Sequence, residues 1–149
     1  MKKIKGLILG TVCISLLSGC GEKEKTLNCS YNISEDNNAR MEYVINFDQK
    51  GEKLLSYTQS AVMDYGDTKT DEELESEYEN SKDSCDSYKD MKGTKCDVAK
   101  NKKEVRFDLK VTLSELDDSA KEKLFISEIE NKSYDEFKTY MADSGFTCK

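Results

Sequence analysis

Cysteine offers the most distinctive chemistry in this chain, which has six cysteines and no histidine among 149 residues. A cysteine thiol can be lipidated, form a disulfide or bind a metal ion. The lack of histidine excludes Ser-His-Asp and Cys-His catalysis, HExxH zinc sites and imidazole pH switches. The remaining candidates are chemistry at the cysteines and acid–base chemistry at the 30 acidic residues.

The first twenty residues indicate lipidation at Cys20. Three lysines precede an uncharged, mostly apolar run over residues 6–17. This run is too short to span a bilayer, which takes about 20 residues, but it fits the apolar region of a secretory signal peptide. The segment Leu17–Cys20, which reads LSGC, then resembles a bacterial lipobox, whose cysteine accepts a diacylglyceryl group. We therefore expect a signal peptide over 1–19; an ordinary signal peptide with an incidental Cys20 is the alternative.

Four cysteines are then left for other roles: Cys29, Cys85, Cys96 and Cys148. An even number in a small exported domain favours two disulfides, for which three pairings exist. A zinc site made of the four thiolates is the competing interpretation, but such sites use CxxC-type pairs, and here the closest pair has ten residues between its members. Free thiols are the third alternative. We expect no metal ion and no cofactor.

The charge balance is strongly acidic, with 23 Lys and Arg against 30 Asp and Glu. The predicted leader holds three lysines and no acidic residue, so the chain from Cys20 onward has a net charge of −10. Nucleic-acid binding depends on lysine and arginine, so we expect no nucleic-acid partner. A charge of this size can steer a cationic protein partner, although it also serves solubility.

Five segments alternate apolar and polar residues with a period of two, which predicts strands with one wet face. The predicted strands cover about 26–33, 41–47, 55–63, 94–99 and 105–113. Asp48–Gly51 reads as a hairpin turn between the second and third strands. The first three strands are therefore expected to form an antiparallel meander.

Two capping boxes predict helix starts, at Thr70–Glu73 and at Ser133–Glu136. The first helix is expected from about Asp71 to Met91, with Gly93 ending it and Glu75, Glu79, Asp83 and Asp86 on its outer face. The second carries Tyr134, Phe137 and Met141 on one side and is closed by Gly145. A short helix with Leu124 and Phe125 is expected to start at Asp118 or Ser119.

The resulting order β-β-β-α-β-β-α predicts a single α+β domain over residues 26–149. Its sheet is expected to be antiparallel, with about five strands, and the one long and one or two short helices to pack on one face. Residues 20–25 are expected to comprise the lipidated cysteine and a short charged linker.

The helix and strand positions also predict the disulfide pairing. Cys85 lies on the apolar stripe of the long helix, and Cys96 lies on the strand that runs back beneath it. Because a helix rises about 1.5 Å and a strand about 3.3 Å per residue, the two sulfurs can meet. We therefore expect Cys85–Cys96, and Cys29–Cys148 as the remaining bridge.

These features together resemble the YehR-like group of small bacterial lipoproteins. The resemblance is carried by the LSGC segment, the three-strand meander, the long helix, the two-strand hairpin and a C-terminal helix ending in Ser144–Phe146. It covers most of the chain after the leader in the order of elements. The group implies no established activity, so it transfers no catalytic residue.

Other polar candidates are weaker. Asp64, Asp67 and Asp71 lie near the acidic helix face, but their spacing does not match an EF-hand loop. A carboxylate pair for glycoside hydrolysis can be found by chance among 30 acidic residues, and the chain has no Trp to stack on a sugar. Most of the eight tyrosines are expected in the core, with Tyr65 and Tyr140 as candidate contact residues. We therefore expect no enzyme and no catalytic residue.

The sequence favours a monomeric lipoprotein, anchored to the membrane through Cys20 and facing the extracytoplasmic side. Its expected role is non-catalytic binding or scaffolding at the cell envelope, through a protein partner. The alternative is an acidic inhibitor or binder of a cationic protein, such as a wall-degrading enzyme.

Overall fold

The computed structural model describes residues 23–34, 38–67 and 69–149. The predicted signal peptide and the lipidation site Cys20 lie outside these ranges. The strands and helices are β1 (Lys25–Asn32), β2 (Ala39–Phe47), β3 (Leu54–Asp64), α1 (Asp71–Asp86), β4 (Thr94–Lys100), β5 (Glu104–Thr112), α2 (Asp118–Lys123), α3 (Tyr134–Asp143) and β6 (Thr147–Cys148). Two 3₁₀ turns flank α2, at Leu113–Glu115 and Ile126–Glu128.

The strands form one antiparallel sheet in the order β4-β5-β3-β2-β1-β6. This confirms the predicted α+β class, the meander and the β4–β5 hairpin. The sixth strand was not predicted, because two residues are too few to show an alternation. It pairs Cys148 with Cys29 and Thr147 with Ser30, and so extends the sheet beyond β1.

The helices pack on one face of the sheet, as expected, and the core lies between the two layers. Its buried side chains are Leu27, Cys29, Ile45, Phe47, Leu54, Tyr57, Leu109 and Val111 from the strands, with Ile126, Phe137 and Met141 from the helical layer. Helix α1 contacts β4 and β5, whereas α3 contacts β1 and β6. On this one face, α1 therefore covers the β4–β5 edge of the sheet and α3 covers the β1–β6 edge.

Helix α1 begins where the capping box predicts but ends at Asp86, five residues before the expected Met91. The hydroxyl of Thr94 donates to the carbonyl oxygens of Tyr88 and Met91, both at 2.9 Å. Because Thr94 satisfies these carbonyls, the chain turns back without a further helical turn. Gly93 adopts φ 80°, where a Cβ would lie 3.0 Å from the Leu116 backbone, so glycine is required at this reversal.

The other helix predictions are confirmed with small shifts. The Ser133–Glu136 capping box opens α3, and Gly145, at φ 88°, follows its last turn. Helix α2 begins at Asp118, as predicted, and its N-cap is Asp117, whose carboxylate accepts a hydrogen bond from the Ala120 N–H at 2.8 Å. The helix ends at Lys123, so Leu124 and Phe125, which were expected on it, follow it instead.

Both predicted disulfides are present. Cys85 of α1 is joined to Cys96 of β4, and Cys29 of β1 is joined to Cys148 of β6. Each bridge therefore closes one edge region of the sheet. Within the described ranges, no helix combines the length and apolar character needed to cross a membrane.

Candidate functional site: an aromatic cleft

The helical layer leaves a cleft of about 250 Å³ above strands β2 and β3. The sheet forms its floor, and α3 and the segment that follows α2 form its walls. The lining residues are Tyr43, Tyr57, Gln59, Leu124, Phe125, Glu128, Ile129, Phe137, Tyr140, Met141, Ser144 and Phe146. Six of these twelve side chains are aromatic, so the cleft presents mainly ring surface.

The floor is set by the register of the meander. Tyr43 of β2 lies directly opposite Gln59 of β3, and the Tyr43 and Tyr57 ring centroids are 6.4 Å apart. Phe146 packs edge-on against Tyr43 at 5.4 Å. The period-two alternation turns Tyr43, Tyr57 and Gln59 to the packed face, where they meet the helical layer.

Burial changes the acidity of the two floor phenols. Desolvation raises the pKa of Tyr57 to about 12, and it raises the pKa of Tyr43 as well. Both groups are therefore neutral at physiological pH. They offer hydroxyl donors and acceptors, and they place no negative charge under the cleft.

Helix α3 supplies one wall through its apolar stripe. Phe137 packs edge-on against Phe47 of the sheet, with ring centroids 5.9 Å apart, and Met141 is buried one turn later. Tyr140 lies beside this stripe, is 41% exposed and packs on Phe137 at 6.0 Å. The stripe thus fixes the wall, and Tyr140 reaches the mouth of the cleft.

The opposite wall has an unusual backbone. Helix α2 ends at Lys123 with Leu124 as its C-cap, and the next residue, Phe125, adopts the left-handed conformation at φ 53° and ψ 34°. Glycine or asparagine normally occupies this position after a helix, because a side chain there is strained. Phe125 is nevertheless 69% exposed. Phe125 therefore places an exposed ring on a strained backbone in the lining of the cleft.

Charge in the cleft comes from Glu128 in the 3₁₀ turn after α2; among the residues that the structure describes, no lysine or arginine lines it. Lys132 lies near the rim, with its ammonium 5.2 Å from the Tyr140 ring centroid, but it belongs to a shallow groove with Asp135 and Glu136. The cleft is therefore aromatic, with one carboxylate at its edge.

A second polar cluster lies on the other, open face of the sheet. Arg106 donates to Asp108 at 3.0 Å, to Ser60 at 2.9 Å and to Glu42 at 3.4 Å, and Ser60 also donates to Asp108. Arg40 donates to Glu42 at 2.8 Å. These groups form hydrogen bonds with one another across β2, β3 and β5, so the cluster stabilises the sheet.

The acidic candidates are dispersed. Asp64 accepts a hydrogen bond from the Gly66 N–H at 2.9 Å, Asp67 pairs with Lys103 at 2.7 Å, and Asp71 lies in the first turn of α1. Within the described ranges, no three acidic or cysteine side chains are grouped closely enough to hold a metal ion. The four cysteines of the described ranges, Cys29, Cys85, Cys96 and Cys148, form the two disulfides.

The expected acidic face of α1 is exposed. Glu75 pairs with Lys100, and Glu79 pairs with Lys82 at 3.1 Å. Counted over Asp71–Asp86, the helix has eight carboxylates and one lysine, a net charge of −7. This one helix therefore carries −7 of the net charge of −10 that the sequence has from Cys20 onward.

The tyrosine predictions were partly wrong. Tyr57 is buried, as expected, but Tyr31 is exposed, and several others are only half-buried. Tyr140 does lie at the cleft mouth, whereas Tyr65 lies elsewhere, under the Lys69 ammonium at 4.1 Å. Sequence reasoning missed Gln59, Glu128 and Phe146. A two-residue period through β3 was the available signal for Gln59, and the other two lie in irregular segments.

Comparison with known proteins identifies the fold. No protein-family model matches the chain, and no curated protein matches it significantly. The solution structure of YehR from E. coli is 15% identical, with a TM-score of 0.63 over 86% of this chain and 92% of that one. A solution structure from Streptococcus pneumoniae TIGR4 is also 15% identical, with a TM-score of 0.54 over 100% of this chain and 98% of that one. The chain therefore has a fold similar to that of E. coli YehR.

Proposed function

We propose that this protein is a lipid-anchored lipoprotein of the cell envelope that binds a ligand non-catalytically through the aromatic cleft. The observation that carries the binding role is the cleft itself, a preformed cavity of about 250 Å³ with six aromatic side chains in its lining. Mostly apolar pockets with a few polar groups are the usual form of small-ligand sites.

A binding role fits the cleft better than catalysis. Its ionisable side chains are Glu128 and three tyrosines, and the two tyrosines on the floor keep their protons at physiological pH. Glycoside hydrolysis takes two carboxylates, and covalent catalysis takes a nucleophile beside a base. Glu128 is the one carboxylate among the twelve lining residues, and the hydroxyl of the lining Ser144 donates to the backbone carbonyl of Tyr140 at 2.9 Å.

Three features support the location. The LSGC segment provides the acceptor Cys20, and two disulfides suit a compartment outside the cytoplasm. Five residues separate Cys20 from Thr26, a span of at most roughly 17 Å when extended. The acidic start of α1 follows the far end of β3, which pairs through β2 with β1, so it lies at the opposite end of the sheet from Lys25. The anchored domain would present this end away from the bilayer.

The anchor is tested by membrane fractionation of Cys20→Ala in detergent-free buffer. We expect the variant to leave the membrane fraction, because a diacyl anchor holds through two chains at about 0.8 kcal/mol per buried CH₂. Cys13→Ala is the matched control, since Cys13 lies in the leader outside the lipobox, and it should remain membrane-bound. Membrane association of Cys20→Ala would refute the anchor.

The binding role is tested by site-specific photo-crosslinking in intact envelopes with the lipid retained. A photoreactive residue replaces Phe125 at the cleft mouth or, as a control, Lys95 on the exposed edge strand β4. We expect an adduct at position 125 that is lost when Tyr140→Ala is added and is absent from position 95. Equal labelling at both positions, or none at 125, would remove the cleft from the proposed function.

The charge on α1 favours a second candidate, an acidic binder of a cationic protein. A helix with a net charge of −7 attracts such a partner over a distance that salt shortens. A partner captured at low salt should be released at high salt and should bind more weakly to Asp83→Asn/Asp86→Asn. Capture that does not depend on salt would argue against this alternative.

A further inference from the structure

We propose that the aromatic cleft takes a small organic cation, an ammonium group that carries methyl or other short alkyl substituents. This inference rests on the proposed binding function and names the ligand class. It follows from the juxtaposition of aromatic ring surface and Glu128 in a cavity to whose lining the described part of the chain contributes no cationic side chain.

The charge of the lining decides against anions. A phosphate, a sulfate or a fatty-acid carboxylate is normally held by arginine, lysine or a cluster of backbone N–H groups. The twelve described lining residues include neither lysine nor arginine, and they do include Glu128, which is exposed. An anion in this cleft would lie against a carboxylate, inside a domain that is already strongly acidic.

The ring surface favours a cation over a neutral apolar group. Aromatic rings carry negative charge on their faces and attract alkylammonium groups within about 6 Å of the ring centroid. Neutral phenols at Tyr43 and Tyr57 preserve this character, and Phe125 and Tyr140 add rings at the mouth. A site for a neutral acyl chain needs only aliphatic walls, but aliphatic side chains are a minority in this lining.

One contact in the structure illustrates the preference. The Lys132 ammonium lies over the Tyr140 ring at 5.2 Å, outside the cleft lining. The ring of Tyr140, at the cleft mouth, therefore already contacts a cation. The ligand's ammonium group is expected deeper, between the floor and Glu128.

The cavity size limits the ligand. About 250 Å³ lies just below the range of about 300–1,000 Å³ that is usual for drug-sized ligands. The site suits a compact group such as trimethylammonium with a short polar arm. The Gln59 amide on the floor can hydrogen-bond that arm.

Two probes of equal shape test the charge requirement. Choline and its neutral carbon isostere, 3,3-dimethylbutan-1-ol, differ in the central atom that bears the three methyl groups. The lipid-anchored protein, purified in an uncharged maltoside detergent, is titrated with each probe and followed by the methionine methyl signals in NMR. Met141 lines the cleft and reports binding, while Met91 does not line it and reports the integrity of the fold.

We expect Met141 to shift with both probes and choline to bind at least about tenfold more tightly, as a desolvated cation–π site implies. Glu128→Gln should weaken choline and leave the isostere unchanged. The control Glu122→Gln removes the same charge on α2 outside the cleft and should change neither affinity.

Equal affinity for the two probes would overturn the cation proposal while leaving the cleft as a ligand site. No shift at Met141 with choline would also overturn it, and crosslinking at position 125 would then decide the proposed function separately. Glu128→Gln that weakens both probes equally, or that shifts Met91, would show a structural role for Glu128 and overturn its part in the charge preference.

Discussion

Helices α1 and α3 begin with the same device but are attached to the sheet by different means. Thr70 and Glu73 form the capping box of α1, and Ser133 and Glu136 form that of α3. In both boxes the backbone N–H of the N-cap residue lowers the pKa of the glutamate. Beyond this first turn the two helices have little in common.

Helix α1 contributes a single buried residue, Leu74, and is joined to β4 by the Cys85–Cys96 bridge. Helix α3 buries Phe137 and Met141 against the core, and its own residues form no disulfide. Covalent attachment leaves the surface of α1 open to a charged composition, whereas apolar attachment makes α3 a wall of the cleft. The two modes of attachment thus explain why α1 has a charged surface and why α3 has an apolar face in the cleft.

The largest expected effect comes from the bridge on the α3 side. Cys29–Cys148 spans 119 residues and Cys85–Cys96 spans 11. In the chain-entropy model, Cys29→Ala/Cys148→Ala should lower the free energy of unfolding by about 5 kcal/mol and Cys85→Ala/Cys96→Ala by about 3 kcal/mol. Urea unfolding of both double variants and the wild type measures the difference.

Hydrogen exchange separates local from global loss in these variants. Without Cys85–Cys96, the amides of α1 should exchange much faster while those of α3 keep their protection. Equal loss in the two helices would mean that α1 is held mainly by packing, which contradicts the comparison.

The second prediction compares one aromatic residue from each helix. Phe137→Ala should cost about 4 kcal/mol, because it opens a cavity beside Phe47. Tyr78→Ala on α1 should cost about 1 kcal/mol, since Tyr78 is half-buried and contacts the Lys82 and Lys100 ammonium groups. Denaturant midpoints at neutral pH provide the measurement, and similar costs would show that α1 is packed as firmly as α3.

The third prediction concerns the cleft floor at alkaline pH. The pKa of Tyr57 is about 12 in the folded state against 10.0 for an ordinary tyrosine, so the unfolded chain loses this proton first as the pH rises. Stability is therefore complete below about pH 10 and falls between about pH 10 and 12, by on the order of 2 kcal/mol.

Tyr57→Phe should remove this part of the decline. Denaturant unfolding of the wild type and the variant at about pH 9 and pH 11.5 gives, for each protein, the change in the free energy of unfolding with pH. Lysine deprotonation affects both proteins equally and cancels in the comparison. Parallel slopes would mean that Tyr57 ionises in the folded state as readily as in the unfolded chain.

The secondary structure and the cleft also differ in how far the sequence predicts them. Alternation, capping boxes and cysteine positions predicted five of the six strands, both long helices and the two bridges, because each depends on residues close in the chain or on one clear reversal. The end of α1 was missed, since it depends on Thr94 reaching back to Tyr88 and Met91. Most of the cleft was missed because it is assembled from β2, β3, α3 and the irregular segment after α2, whose relative placement has no periodic signal.

Phe125 provides the last and smallest stability effect. Its left-handed backbone at φ 53° is strained for a side chain, and its ring is 69% exposed, so the ring adds little to the core. Phe125→Gly relieves the strain but loosens the unfolded chain, and we expect a gain of at most about 1 kcal/mol. Choline affinity, in contrast, should fall, because a ring at the cleft mouth is lost. Phe125→Leu is the control that keeps an apolar side chain in the strained conformation and should lower affinity without any gain in stability. If Phe125→Gly instead destabilised the fold by more than about 1 kcal/mol, the Phe125 ring would contribute to packing. The strained backbone at Phe125 would then serve the stability of the fold and not ligand binding in the cleft.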